Sequence, residues 1–213
     1  MPQIADTGSA TPSKASYLMQ GAANLLVVGL FTLLAFSSYH HFVSSGTPTS
    51  LGVLAVNTLF LGLFLTRRPA KTETRSPALW TLGIAGTALP LLLRPSDGAP
   101  LLRLGVAIQV AGLIMIAGAL LSLRRSFAVV PANRGIREGG MYRIVRHPVY
   151  LSELIALLGV VLANATVANL VIWVCECGLQ LARACAEERF LSADPAYCSY
   201  RKQVRYRLIP GLV

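Results

Sequence analysis

Charge is what this chain has least of. Asp, Glu, Lys and Arg make up 13% of its 213 residues, where a soluble domain carries about a quarter. From Ala15 to Thr66 none of the four occurs. With 54% hydrophobic residues and a mean hydropathy of +0.59, this scarcity excludes an ordinary soluble domain and indicates an integral membrane protein. Cysteine is also sparse. Cys175, Cys177, Cys185 and Cys198 include no Cys-x-x-Cys and have one histidine near them in sequence, so reduced thiols and no metal site are expected. No strand pattern leads into a Gly-rich turn, which excludes a Rossmann nucleotide site. The N-terminus lacks a basic stretch beyond Lys14 and does not read as a signal peptide. No internal repeat and no second domain are visible.

The charge that is present is mostly arginine, for a formal net of +10. The arginines flank apolar runs instead of forming a stripe among aromatics. They therefore read as membrane-orienting and lipid-facing, with membrane lipids as partners and no nucleic acid. Residues 1–15 read as a disordered tail. Residues 16–123 read as four membrane spans, near 17–42, 51–66, 76–93 and 101–123. Ser44 to Ser50 forms the first loop, and Pro90 kinks or ends the third span. His40 and His41 fall at the interface. Gly105, Gly112 and Gly118 in the fourth span suit close helix packing.

Residues 124–213 carry the polar features. From Pro148 to about Phe190 the chain is again apolar, interrupted by Asn164-Ala165-Thr166. This predicts a helical hairpin over about 149–162 and 167–192, with Thr166 capping the second arm. The fold class expected is all-α, a polytopic membrane protein with about five membrane segments. The loops at 67–75 and 124–146 and the C-terminal tail are basic, whereas those at 43–50 and 94–100 are not. The positive-inside rule then puts both termini and the 124–146 loop in the cytoplasm; a bacterial inner membrane is the expected location.

Two patterns point to chemistry. Glu176, Gln180, Arg183 and Glu187 are spaced i, i+4, i+7 and i+11, which places them within about 60° on one helix face. Ionisable groups at membrane depth are costly and normally face a cavity or a partner. A structural Arg183–Glu187 pair is the plainer alternative. The second pattern is His147-Pro148. Proline starts helices readily, and amides at a helix start attract carboxylates or phosphates.

Gly-x-Tyr-x-x-x-Arg-His-Pro-x-Tyr over Gly140 to Tyr150, Arg-x-x-x-Glu-Glu over Arg183 to Glu188, and a tail with Tyr197, Tyr200 and Ile209-Pro210-Gly211 together resemble the isoprenylcysteine carboxyl methyltransferase family. The resemblance covers roughly 124–213. It implies S-adenosylmethionine as methyl donor and a helical membrane fold with a cytoplasmic cofactor pocket. It implies that Tyr142, His147, Pro148, Val149, Tyr150 and Glu187 bind the cofactor, with Arg134, Gly135, Ile136 and Arg137 as a second cofactor-contacting stretch. It implies that Arg183 is the catalytic arginine beside the methyl acceptor. Gln180 and Glu176 share its stripe and are assigned with it to substrate binding.

The expected acceptor is lipidic or membrane-accessible, and carboxyl O-methylation leads. Methylation of a phospholipid amine or of a small molecule on N or S is the alternative. A transporter would place ionisable groups in several spans, and the first four carry no Asp, Glu, Lys or Arg apart from Arg103 near the start of the fourth. A non-catalytic scaffold would leave the polar stripe without a purpose.

Overall fold

The computed structural model describes residues 14–46, 48–94 and 101–212. Most of the expected N-terminal tail and the loop around Asp97 lie outside the described residues. Helix α1 spans Lys14–Ser45 and α2 spans Pro48–Leu65, so the break between them is shorter than the loop composition predicts. Helix α3, Pro77–Ala88, gives way at Pro90 to a 3-10 turn over Leu89–Leu92. Helix α4 spans Leu102–Leu123. The hairpin consists of α5, Pro148–Ala163, and α6, Val167–Leu191. A short α7, Pro195–Gln203, follows.

Local sequence accounts for these ends. Proline begins α2, α3, α5 and α7, where its missing N–H costs nothing and its fixed φ already suits a helix. The Thr166 hydroxyl accepts from the Asn169 amide at 3.1 Å and caps α6, and Asp194 caps α7 through the Ala196 amide at 2.9 Å. Among the described residues, Asn24–Ser45, Leu102–Ser126 and Val167–Leu191 are long and apolar enough to cross a membrane. Leu51–Leu65, Pro77–Leu92 and Pro148–Ala163 are shorter apolar helices. The six apolar helices are thus three long and three short, against about five segments read from the sequence.

The helices pack in the order α1, α2, α4, α5, α6, α3. The tightest pairing is α4 with α5, and glycine makes it possible. A Cβ at Gly112 would overlap the backbone of Ala156, and one at Gly105 would lie 2.6 Å from the Gly159 carbonyl. With no hydrophobic force between helices in lipid, such close approach supplies the van der Waals contact that holds a pair. Phe31 of α1 stacks on Phe60 of α2 with ring centroids 5.5 Å apart, and Phe127 sits 5.4 Å from Phe60.

One end of the bundle is polar. There the loop after α2 pairs with the loop after α4 as a two-residue antiparallel ladder, β1 (Thr72–Glu73) with β2 (Ala132–Asn133). Arg68 N–H donates to the Arg125 carbonyl at 2.8 Å and Lys71 N–H to that of Asn133 at 2.7 Å. The buried Arg134 guanidinium bonds Glu73 at 3.1 Å and the Arg68 carbonyl. The basic loops at 67–75 and 124–146 therefore share one end of the molecule. At the other end the fully buried Asn169 closes α6 onto the chain after α3. Its amide donates to the Arg94 carbonyl at 2.8 Å, and its oxygen accepts the Arg94 N–H at 3.1 Å.

Gly112→Ala should destabilise the detergent-solubilised protein by about 1–3 kcal/mol through overpacking, read as a lower unfolding temperature. Gly178→Ala, on an exposed face with nothing within 4 Å of the added carbon, should not lower it.

Candidate active site

The segment from Gly139 to Pro148 turns the chain from α4 into α5. Gly140 has φ +60, and a Cβ there would strike the Ser122 hydroxyl, so both conformation and space call for glycine. The turn Gly140–Arg143 buries Tyr142. His147 is the N-cap residue and Pro148 the first residue of α5.

A buried carboxylate fixes this corner. Glu188 accepts from Arg146 Nε at 2.7 Å, from Arg207 Nη2 at 3.0 Å and from His147 Nε2 at 3.2 Å. Arg146 Nη1 also donates to the carbonyls of Val204 and Arg205, at 2.9 and 2.6 Å. The backbone N–H groups of Arg146 and His147 donate to the carbonyls of Tyr206 and Arg207, at 2.9 and 3.0 Å. The C-terminal segment is thereby strapped across the helix start. Those two amides are occupied by the tail, so any anion binding there falls to the first turn of α5 itself.

Beside this corner lie two adjoining clefts. One is lined by Asn133, Arg134, Gly135, Ile136, Arg137, Tyr142, Arg146, His147, Glu187, Tyr197 and Tyr200, among others. The other shares Tyr142, His147 and Glu187 and reaches Phe127, Val149 and Tyr150. His147 lies parallel to Tyr150 with ring centroids 5.4 Å apart, and its Nδ1 is 3.8 Å from Glu187 Oε2. Tyr150 donates to the same oxygen at 2.9 Å. Burial pushes the hydroxyls of Tyr142, Tyr197 and Tyr200 above the ordinary tyrosine range; the charge of Glu187 adds to the effect at all three, and that of Glu188 at Tyr197 and Tyr200.

The donor set fits S-adenosylmethionine. The Tyr197 hydroxyl is buried with no partner among the described residues, a polar atom that a ligand can satisfy. Glu187 offers a partly exposed carboxylate for a ribose diol or an ammonium. Tyrosine and histidine faces suit an adenine ring or a sulfonium. The clefts are narrow, about 50 and 60 Å³.

On the other side of Tyr150 is a cavity of about 310 Å³. Apolar side chains of α1, α2, α4 and α5 form most of its wall, including Phe31, Val56, Phe60, Leu113, Ile116 and Leu157. Its polar end carries Glu153, Glu176 and Arg183. Phe127, Ala128, Val149 and Tyr150 border both this cavity and the second cleft. Tyr150 is the shared wall. Its hydroxyl bonds Glu187 on one side, and the Arg183 guanidinium lies over its ring, 4.8 Å from the centroid, on the other.

The sequence-derived residues divide between the two spaces. Tyr142, His147, Val149, Tyr150, Glu187 and the 134–137 stretch surround the clefts. Pro148 is fully buried and lines none of the three spaces. Arg134 reaches the cleft, but its guanidinium is committed to Glu73 and Arg68. Glu176 and Arg183 line the cavity, and Gln180 bonds both from behind them. No Arg183–Glu187 ion pair is formed among the described residues. Sequence reading missed Glu153. It is the lone acid of α5, and a carboxylate at membrane depth was a readable signal. It also missed Asn133 and Arg146, which long-range contacts bring to the cleft.

Glu187→Ala should abolish S-adenosylhomocysteine binding in calorimetric titration while leaving the unfolding temperature near wild type. Glu188→Ala should instead destabilise the protein, by about 3–5 kcal/mol, because it strands the buried Arg146 and leaves the half-buried Arg207 without its carboxylate. Wild-type ligand affinity in the Glu187 variant contradicts the division of labour between these neighbours.

Residues 98–194 match the phospholipid methyltransferase family. No curated protein matches the chain. That region holds the whole hairpin, the Arg-His-Pro turn and the Arg183 to Glu188 stretch that build the site. The matched model is one of the isoprenylcysteine carboxyl methyltransferase family of membrane methyltransferases, to which residues 98–194 are therefore similar.

Proposed function

We propose that the protein transfers the methyl group of S-adenosylmethionine to a lipidic acceptor, and that the reacting group is a carboxylate held by Arg183. The observation that carries this reading is the state of Arg183. It is buried at the polar end of an apolar cavity. No carboxylate lies within ion-pairing distance of it among the described residues, and its Nε has no partner. A buried guanidinium without a directly paired counter-ion is costly, and an acceptor anion would relieve that cost.

When bound, S-adenosylmethionine supplies an electrophilic methyl group. Glu187 and the aromatic walls orient the donor from the cleft. Arg183 orients the acceptor from the cavity. Tyr150 and Val149 border both, so the reacting atoms would meet beside them. A carboxylate is already a nucleophile and needs no general base; one oxygen forms the bond to carbon as the carbon–sulfur bond breaks. The protein's contribution is then alignment and exclusion of water. The apolar wall of the cavity suits a lipid chain entering from the bilayer.

A second reading has its own support. Glu153 and Glu176 face the same cavity, and two carboxyl groups suit the ammonium of an amine-bearing phospholipid. We also propose that the polar end is cytoplasmic, because the basic loops gather there.

Arg183→Lys should keep S-adenosylhomocysteine affinity and lose most methyl transfer, because lysine cannot copy the two parallel hydrogen bonds of the guanidinium. The assay is incorporation of label from methyl-labelled cofactor into a total membrane lipid extract. Normal transfer in this variant would favour the amine acceptor. Reporter fusions at Met1 and Val213 should both report the cytoplasm; a reporter active on the far side at either end refutes that orientation.

A further inference from the structure

Arg183 is held in a cage of specific construction. Its Nη1 donates to Gln180 Oε1 at 3.0 Å. That bond fixes which way the Gln180 amide points, because its oxygen is committed to the arginine. The amide nitrogen faces the opposite way and donates to Glu153 Oε2 and Glu176 Oε1, each at 2.7 Å. Both of its protons are used. Carboxylate oxygens are strong acceptors, and the bonds are short, so Gln180 is held firmly between two helices.

The other sides of the guanidinium are also bounded. The Tyr150 ring lies under it, and the Val129 carbonyl is 3.4 Å from Nη2. Gly86 of α3 is the fourth wall. A Cβ there would come within 2.9 Å of Arg183 Cδ and 3.1 Å of Nη1. Glycine is what lets α3 close over the arginine. With Nη1 anchored and Nε without a partner, the edge left for a ligand is the side-on pair Nε and Nη2. That edge matches two oxygens of one anionic group.

We propose that Glu153 and Glu176, acting through Gln180, and Gly86, by its lack of a side chain, are positioning residues that aim the Arg183 side-on edge at the acceptor. This rests on the reading above that Arg183 meets the acceptor. The acids in this account do not touch the acceptor. They tether the amide that tethers the arginine.

The test compares four variants for labelling of a total membrane lipid extract at saturating methyl-labelled cofactor, alongside calorimetry with S-adenosylhomocysteine. Gln180→Leu and Glu153→Leu should each lower turnover, on the order of 100-fold for a misplaced guanidinium. Apparent KM for the cofactor and the calorimetric affinity should stay near wild type. Glu153→Gln keeps an oxygen for the Gln180 amide and should recover most of what Glu153→Leu loses. Gly86→Ala should lower turnover by crowding Arg183, without touching any polar partner.

If Glu153→Gln is as impaired as Glu153→Leu, the negative charge itself is used on the acceptor, and the positioning role is overturned. Wild-type turnover in Gln180→Leu overturns it as well. A wild-type protein that neither binds S-adenosylhomocysteine nor labels any lipid overturns the methyltransferase reading beneath it, an outcome distinct from either of these.

Discussion

Everything at the polar end depends on one buried carboxylate. Glu188 gathers Arg146, His147 and Arg207, residues separated by as many as 61 positions in the chain. Removing charges from water is expensive, and a buried pair is often no more stable than a well-packed apolar substitute. The value of the cluster is therefore geometric. It fixes the start of α5, the last turn of α6 and the C-terminal strap relative to one another. The two clefts are the space left between those three pieces.

The membrane imposes the complementary constraint. Along α6 the polar stripe crosses from one environment to another. Glu187 opens to the clefts, Arg183 stands on the far side of Tyr150, and Gln180 and Glu176 lie deeper still. Each polar group beyond Tyr150 must find a partner in the protein, since lipid offers none. Gln180 supplies partners for three of them at once. Among the described residues the polar atoms left unpaired there are Glu176 Oε2 and Arg183 Nε. The α4–α5 pair brings the helical hairpin against the N-terminal spans. Its glycines hold α5 close to α4, so that Phe31 and Phe60 can wall a cavity whose polar end is built by α5 and α6.

Much of this was legible beforehand. Apolar run lengths located the helices to within a few residues. The hairpin was readable because Thr166 is a cap by chemistry and Pro148 a helix start by its fixed φ. The stripe was readable because helical periodicity is rigid: residues at four- and seven-residue spacing must share a face. Glu153 escaped because its significance comes from another helix. Alone on α5 it has no periodic companion, and only Gln180 on α6 connects it to Arg183.

The sequence by itself determined the membrane environment, the order and approximate extent of the six apolar helices though not α7, the polar face of α6 and the motifs that resemble a methyltransferase. These depend on local propensity and on the cost of charge in lipid, which act within one segment. Only the tertiary structure decided how the polar groups are shared out. It separated Glu187 from Glu188, one to the clefts and one to the strap, although they are adjacent in the chain. It turned the Arg134 guanidinium to Glu73 through a two-residue ladder that no pattern announces. It placed Gly86 over Arg183 and the Tyr150 ring beneath it. Such contacts depend on how separate helices meet, and packing across helices is set by shape and partner availability, not by any single segment's composition.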